Sequence, residues 1–165
     1  MDHVLLSVHV LASIVFVGGS AVAASLFPRY APVAAAVPAG PAGPGAPADA
    51  PPPEPGERNR AVAAALHRIT GGYAAFGLIV PLAGLALATV QGRMGEIWIT
   101  VSMILTATAG AVLATQIHPR QREALNVPDD GRRLRTLSML AGVYNLLWAA
   151  VAVLMIVRPG SGAAA

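Results

Sequence analysis

Histidine supplies most of the chemistry open to this chain, because it has no cysteine and its five methionines form no Met-x-x-Met or His-x-Met cluster. The four histidines are His3, His9, His67 and His118. His9 is the candidate cofactor-binding residue, as the one titratable side chain in the apolar run from Val4 to Phe27. An ionisable group inside such a run is costly to bury and is a functional candidate by default. Neutral imidazole ligates haem iron or copper well. The competing reading is a histidine hydrogen-bonded to a neighbouring Ser, Thr or backbone carbonyl. A helical repeat sets Ser13, Phe16 and Ser20 on the same face as His9. His67 and His118 lie beside arginines at the ends of later apolar runs. Solvated side chains are the expected reading there, and a bis-imidazole haem between them is the sharper one. His9 pairs with neither, since it belongs to the opposite side. No Ser/His/Asp set, paired intramembrane carboxylate, phosphate loop or HExxH motif occurs, so no catalytic residue and no metal ligand is assigned.

The elements that must position these residues are apolar helices. Only 12% of residues are charged, about half the share usual in a soluble domain. A bilayer core needs roughly 20 consecutive apolar residues as helix. Four stretches satisfy this: Val4 to Phe27, Ile69 to Val90, Ile97 to Ile117 and Leu137 to Val157. The expected fold is all-α, a four-helix transmembrane bundle of antiparallel up-down form, with helices over about 3–27, 61–90, 96–118 and 134–157 in one membrane domain over 1–165. The first span lacks the positive n-region of a secretory signal, so it is expected to be a retained anchor. Nine arginines flank the first and third loops and two, Arg93 and Arg158, the other side. That asymmetry puts both termini outside a bacterial plasma membrane, with Trp98 and Tyr30 near span ends.

Residues 31–57 form a separate zone. Ten of the fourteen prolines lie between Pro28 and Pro55, and such a segment cannot offset its ordering entropy by burial. A disordered Pro/Ala/Gly-rich loop is expected between helices 1 and 2, a tolerated insertion rather than a polyproline recruitment segment. The third loop, Pro119 to Arg132, carries turn chemistry at Pro128-Asp129-Asp130-Gly131. Small residues let helix backbones approach in lipid. Gly18, Gly19 and Ala23, then Gly71, Gly72, Gly77 and Gly84, then Ala141 and Gly142 are the candidates, and Pro81 should kink the second helix. Thr100, Ser102, Thr106, Thr108 and Asn145 read as hydrogen-bonding residues between helices. The net charge of +3 carries no basic stripe with interleaved aromatics, so no nucleic-acid partner is expected.

His9 followed by Gly18-Gly19, with Phe27-Pro28-Arg29 closing the span, resembles the first helix of the CopD/HemJ-like superfamily of small four-helix bacterial membrane proteins. Trp98 opening the third helix, the Arg-rich loop before the fourth, and Val157-Arg158-Pro159 at its end extend the likeness. In HemJ-type enzymes a first-helix histidine and a third-helix lysine form the expected functional pair, associated with haem. His9 matches the histidine, whereas Ser102 stands where the lysine would fall. A serine hydroxyl brings no charge to anchor a propionate or move a proton. The resemblance therefore implies a membrane protein without a demonstrated reaction, with haem b or another ligand near His9. Its alternatives are a protoporphyrinogen-oxidase type oxidoreductase, a copper uptake or resistance protein, and an accessory subunit of a membrane complex. The partners implied are the lipid bilayer and a homo-oligomer or larger membrane complex.

Overall fold

The structure, a computed structural model, describes residues 11, 13–34, 58–76, 89 and 96–159. Among these, every regular element is helical and no strand occurs. Four helices are present: α1 Ile14–Tyr30, α2 Arg60–Phe76, α3 Ile97–Asn126 and α4 Arg132–Val157. Of the loop expected over 31–57, residues 35–57 lie outside the described residues, as do Gly77, Gly84 and the Pro81 kink.

Local chemistry sets the helix ends. Ala31 precedes Pro32, a position that disfavours helical backbone, and it is extended at φ −65°, ψ 142°, ending α1. Asn59 caps α2, its side-chain oxygen accepting from Ala61 N at 2.9 Å and Val62 N at 3.2 Å. Before α4, the Asp129 carboxylate accepts from Gly131 N at 2.9 Å and Arg133 N at 3.2 Å. Gly131 turns the chain at φ +90°, a left-handed conformation that glycine adopts without a Cβ penalty. Arg158 closes α4 from the same region, at φ 45°.

The expectation placed the end of the third helix near residue 118, with a loop from Pro119. The helix instead runs on to Asn126, and the turn is confined to Val127–Gly131. Pro119 has no N–H and its ring crowds the carbonyl four residues earlier. The helix accommodates it with a π-turn over Leu113–Ile117, immediately before. One carbonyl in the widened turn, Gln116 O, accepts from Arg120 Nη1 at 3.2 Å. A second π-turn, Ile14–Gly18, opens α1, and Tyr73 Oη donates to Val15 O there at 3.2 Å.

Two hydrogen bonds tie α1 to α4: in the buried one Ser20 Oγ lies 2.7 Å from Tyr144 Oη, and in the half-buried one Asn145 Nδ2 donates to Ser25 Oγ at 3.0 Å. Phe16 meets Tyr73 edge-on between α1 and α2, at 5.2 Å. Leu113, Ile117, Leu137 and Tyr144 form the centre of the core between α3 and α4, with Phe27 and Ala63 closing it from α1 and α2. The glycines act differently from a backbone-approach motif. Gly19 and Gly71 each receive a ring from the next helix, while nothing lies within 4 Å of a Cβ placed on Gly18, Gly72 or Gly142.

Both α3 and α4 are long and apolar enough to cross a membrane. Only 22% and 17% of their apolar stretches is buried, so most of that surface faces outward, unlike the core helix of a soluble protein.

A Cβ on Gly19 would stand 2.0 Å from Tyr73 Oη and 2.6 Å from Cζ, so the whole ring must move. Gly19→Ala is expected to destabilise the protein by about 1–3 kcal/mol, the usual cost of overpacking. Gly18→Ala should be neutral. Thermal unfolding in detergent measures both, and a Tyr73→Ala background should erase most of the Gly19→Ala cost.

Candidate functional site

The stacked pair of His67 on α2 and His118 on α3 is the densest chemistry among the described residues. Their ring centroids are 4.4 Å apart and the planes differ by 10°. Three features hold the pair. His118 follows the π-turn, which aims it at α2. Gly71 lies one turn beyond His67, and its missing side chain leaves room for the ring: a Cβ there would be 2.8 Å from His118 Nε2. Gln121, wholly buried, places Oε1 3.3 Å from His67 Nδ1. If Gln121 Oε1 accepts, His67 carries its proton on Nδ1. Gln121 Nε2 has no hydrogen-bond partner among the described residues.

This geometry is not that of a bis-imidazole haem. Axial imidazoles approach an iron end-on from opposite faces of the macrocycle, whereas these rings lie face to face at contact distance. No group of three or more His, Cys, Asp or Glu side chains converges on a metal site among the described residues. Burial, then the charges of His67 and Arg122, holds the His118 pKa below the ordinary histidine value. The neutral form of His118 is thereby favoured, and its ring packs against that of His67.

His9 lies outside the described residues, as does His3. The face assigned to His9 is only partly traceable. Phe16 and Ser20 do turn toward neighbouring helices, onto Tyr73 and Tyr144. However, the π-turn at Ile14–Gly18 interrupts the uniform repeat used to project that face back to His9. Ser102 is 4% exposed and its hydroxyl has no hydrogen-bond partner among the described residues. Of the polar residues expected to bond between helices, Asn145 does so, whereas Thr108 turns back onto Ile104 O of its own helix. Trp98 donates to Glu96 and carries the Arg158 guanidinium 5.8 Å from its ring, tying the α3 start to the α4 end.

Sequence reasoning missed Gln121, Tyr73 and Tyr144. Gln121 sits in a charged stretch that reads as loop, and only the π-turn carries it inward. Tyr73 and Tyr144 had a visible signal, a phenol in a long apolar run, which usually seeks a partner when buried. No known family, curated protein or solved structure matches the chain.

The depressed His118 pKa fixes the sign of a pH effect. The unfolded chain takes up the proton first, so protonation favours unfolding. The contribution is complete above about pH 6.5, the unperturbed value, and is lost as pH falls toward the folded pKa. The unfolding temperature should therefore drop on acidification below that point. His118→Phe, which keeps a ring against Gly71 but cannot titrate, should flatten the profile measured from pH 8 to 5, values that bracket the histidine range.

Proposed function

We propose that this chain is a multi-pass protein of the bacterial plasma membrane: a four-span, antiparallel up-down bundle with both termini outside and its arginine-rich end in the cytoplasm. The observation that carries the reading is an inverted distribution of polarity. Ser20, Thr70, Ser102 and Gln121 are buried, while Ile97, Leu146 and Ile156 are 77%, 71% and 81% exposed. A protein folded in water would turn these the other way, because burying polar atoms costs and burying apolar surface stabilises. The apolar part of α3, Ile97 to Ile117, rises about 30 Å at 1.5 Å per residue, which matches the hydrocarbon thickness. Beyond it the helix turns polar, with Pro119-Arg120-Gln121-Arg122-Glu123 continuing outside the bilayer.

The chain should stay with membranes through alkaline carbonate washing. A periplasmic phosphatase fused at the C-terminus should be active, and a cytoplasmic fluorescent reporter there dark. Release by carbonate sinks the membrane reading; the opposite reporter pattern sinks the orientation.

Ligand binding by the bundle, without an assigned reaction, is the second reading. The CopD/HemJ-like resemblance and the buried, partnerless hydroxyl of Ser102 support it, since such an atom usually has a water or ligand partner. The ligand favoured is haem held by His9. The protein purified from haem-replete cells should show a Soret band that His9→Ala abolishes and His67→Ala leaves intact. Absence of the band, or its survival in His9→Ala, removes the haem proposal.

A further inference from the structure

We propose that the arginine-rich end selects anionic phospholipid headgroups over zwitterionic ones, an inference that rests on the membrane reading above. Contacts between helices bring the basic residues to one end. Arg58 Nη1 donates to Ala31 O at 2.7 Å and Pro28 O at 3.3 Å, joining the start of α2 to the end of α1. Ala34 N donates to Asp129 O at 2.9 Å, bringing the α3–α4 turn beside the same point. The His67–His118 stack sets Arg68 and Arg122 near the limit of the apolar surface.

Three arginines are spent within the chain: Arg58 on those carbonyls, Arg120 on Gln116, and Arg133 on Val127 O and Asp129. The other six, Arg29, Arg60, Arg68, Arg122, Arg132 and Arg135, are exposed, and their guanidinium groups form no hydrogen bond or ion pair with another described residue. The described carboxylates at this end are Glu123, Asp129 and Asp130, and both aspartates already accept backbone N–H groups. So the end holds a distributed positive charge on all four helices that the described chain does not neutralise.

The partner that fits is a lipid rather than a nucleic acid or an acidic protein, because the charge borders outward apolar surface. Ile69, next to Arg68, is 47% exposed, and Met139, one turn after Arg135, is 63% exposed. A headgroup over an acyl chain satisfies both at once. A guanidinium offers the phosphodiester a paired donor fork, and its long apolar stem lets the charge reach the headgroup layer from within the span. The net negative charge of the lipid supplies the selectivity.

The test uses the full chain in mild detergent, titrated with phosphatidylglycerol and phosphatidylcholine and read by native mass spectrometry. Phosphatidylglycerol adducts should persist under activation that strips phosphatidylcholine. Each arginine removed should weaken anionic binding about fivefold, the value of one basic residue near an anionic surface. Arg68→Gln with Arg122→Gln is the first variant. Arg29→Gln with Arg132→Gln, away from the histidine stack, gives an independent reading if the first pair unfolds. Arg158→Gln, at the other end, should leave retention unchanged. Equal retention of the two lipids by a chain that resists carbonate overturns the headgroup inference and leaves the membrane reading standing. Release by carbonate removes both. An oligonucleotide or acidic peptide bound as tightly as phosphatidylglycerol also overturns the inference.

Discussion

The hydrogen bond between Ser20 and Tyr144 links residues 124 positions apart and joins the first helix to the last. Its importance comes from where it sits. Both side chains are almost wholly buried, and the Ser20 hydroxyl also reaches Val17 O at 3.1 Å. In the membrane reading proposed above, association of the helices depends on close packing and on polar atoms finding partners inside. Tyr144 extends the arrangement by meeting Trp148 edge-on at 6.3 Å, within the core that α3 also enters. Gly19, beside Ser20, is bare because Tyr73 occupies the space its side chain would take. One hydroxyl pair thus fixes the seat of α1 between α2 and α4.

The same requirement explains which polar groups are shielded by backbone. Thr70, Thr108 and Thr115 each donate to the carbonyl four residues earlier, a local solution open to a short hydroxyl in any helix. Gln121 is too long for that, and its oxygen goes across to His67 instead. The interior is therefore a mixture of alanine contacts and a few long-range polar bonds, with little bulky aliphatic packing outside the α3–α4 seam.

Helix number and class were legible from apolar run length alone, since length is what a span requires. The asymmetry of the arginines was equally legible. The end of α3 was not. Pro119 beside charged residues reads as a loop, because the sequence rule for proline ignores a preceding π-turn that removes the clash. The role of the glycines was half legible: their smallness is visible in sequence, but whether a ring or a backbone fills the space depends on which helix faces them. The histidine pair shows the same division. Two imidazoles near one end could be inferred, yet their stacking follows from Gly71 and from the phase of α3, neither of which is a local property. His9, the residue with the strongest sequence argument, lies outside the described residues.

The π-turn before Pro119 has a meaning for how this helix keeps time. From Ser102 the buried positions fall at Thr106, Ala109, Leu113 and Ile117, then Gln121 and Ala124. An unbroken α-helix continuing from Leu113 would bring residue 120 inward at the next step, because 3.6 residues make a turn. That residue is Arg120, and an unpaired guanidinium in the interior would be far more costly than an amide. The one-residue delay hands the inward position to Gln121 and leaves Arg120 to bind Gln116 at the periphery. The wide turn works as a phase shifter between an apolar half-helix and a basic one. A one-residue deletion there would let an unbroken α-helix bring the same Gln121 inward, because the residue removed is the one that the wide turn absorbs.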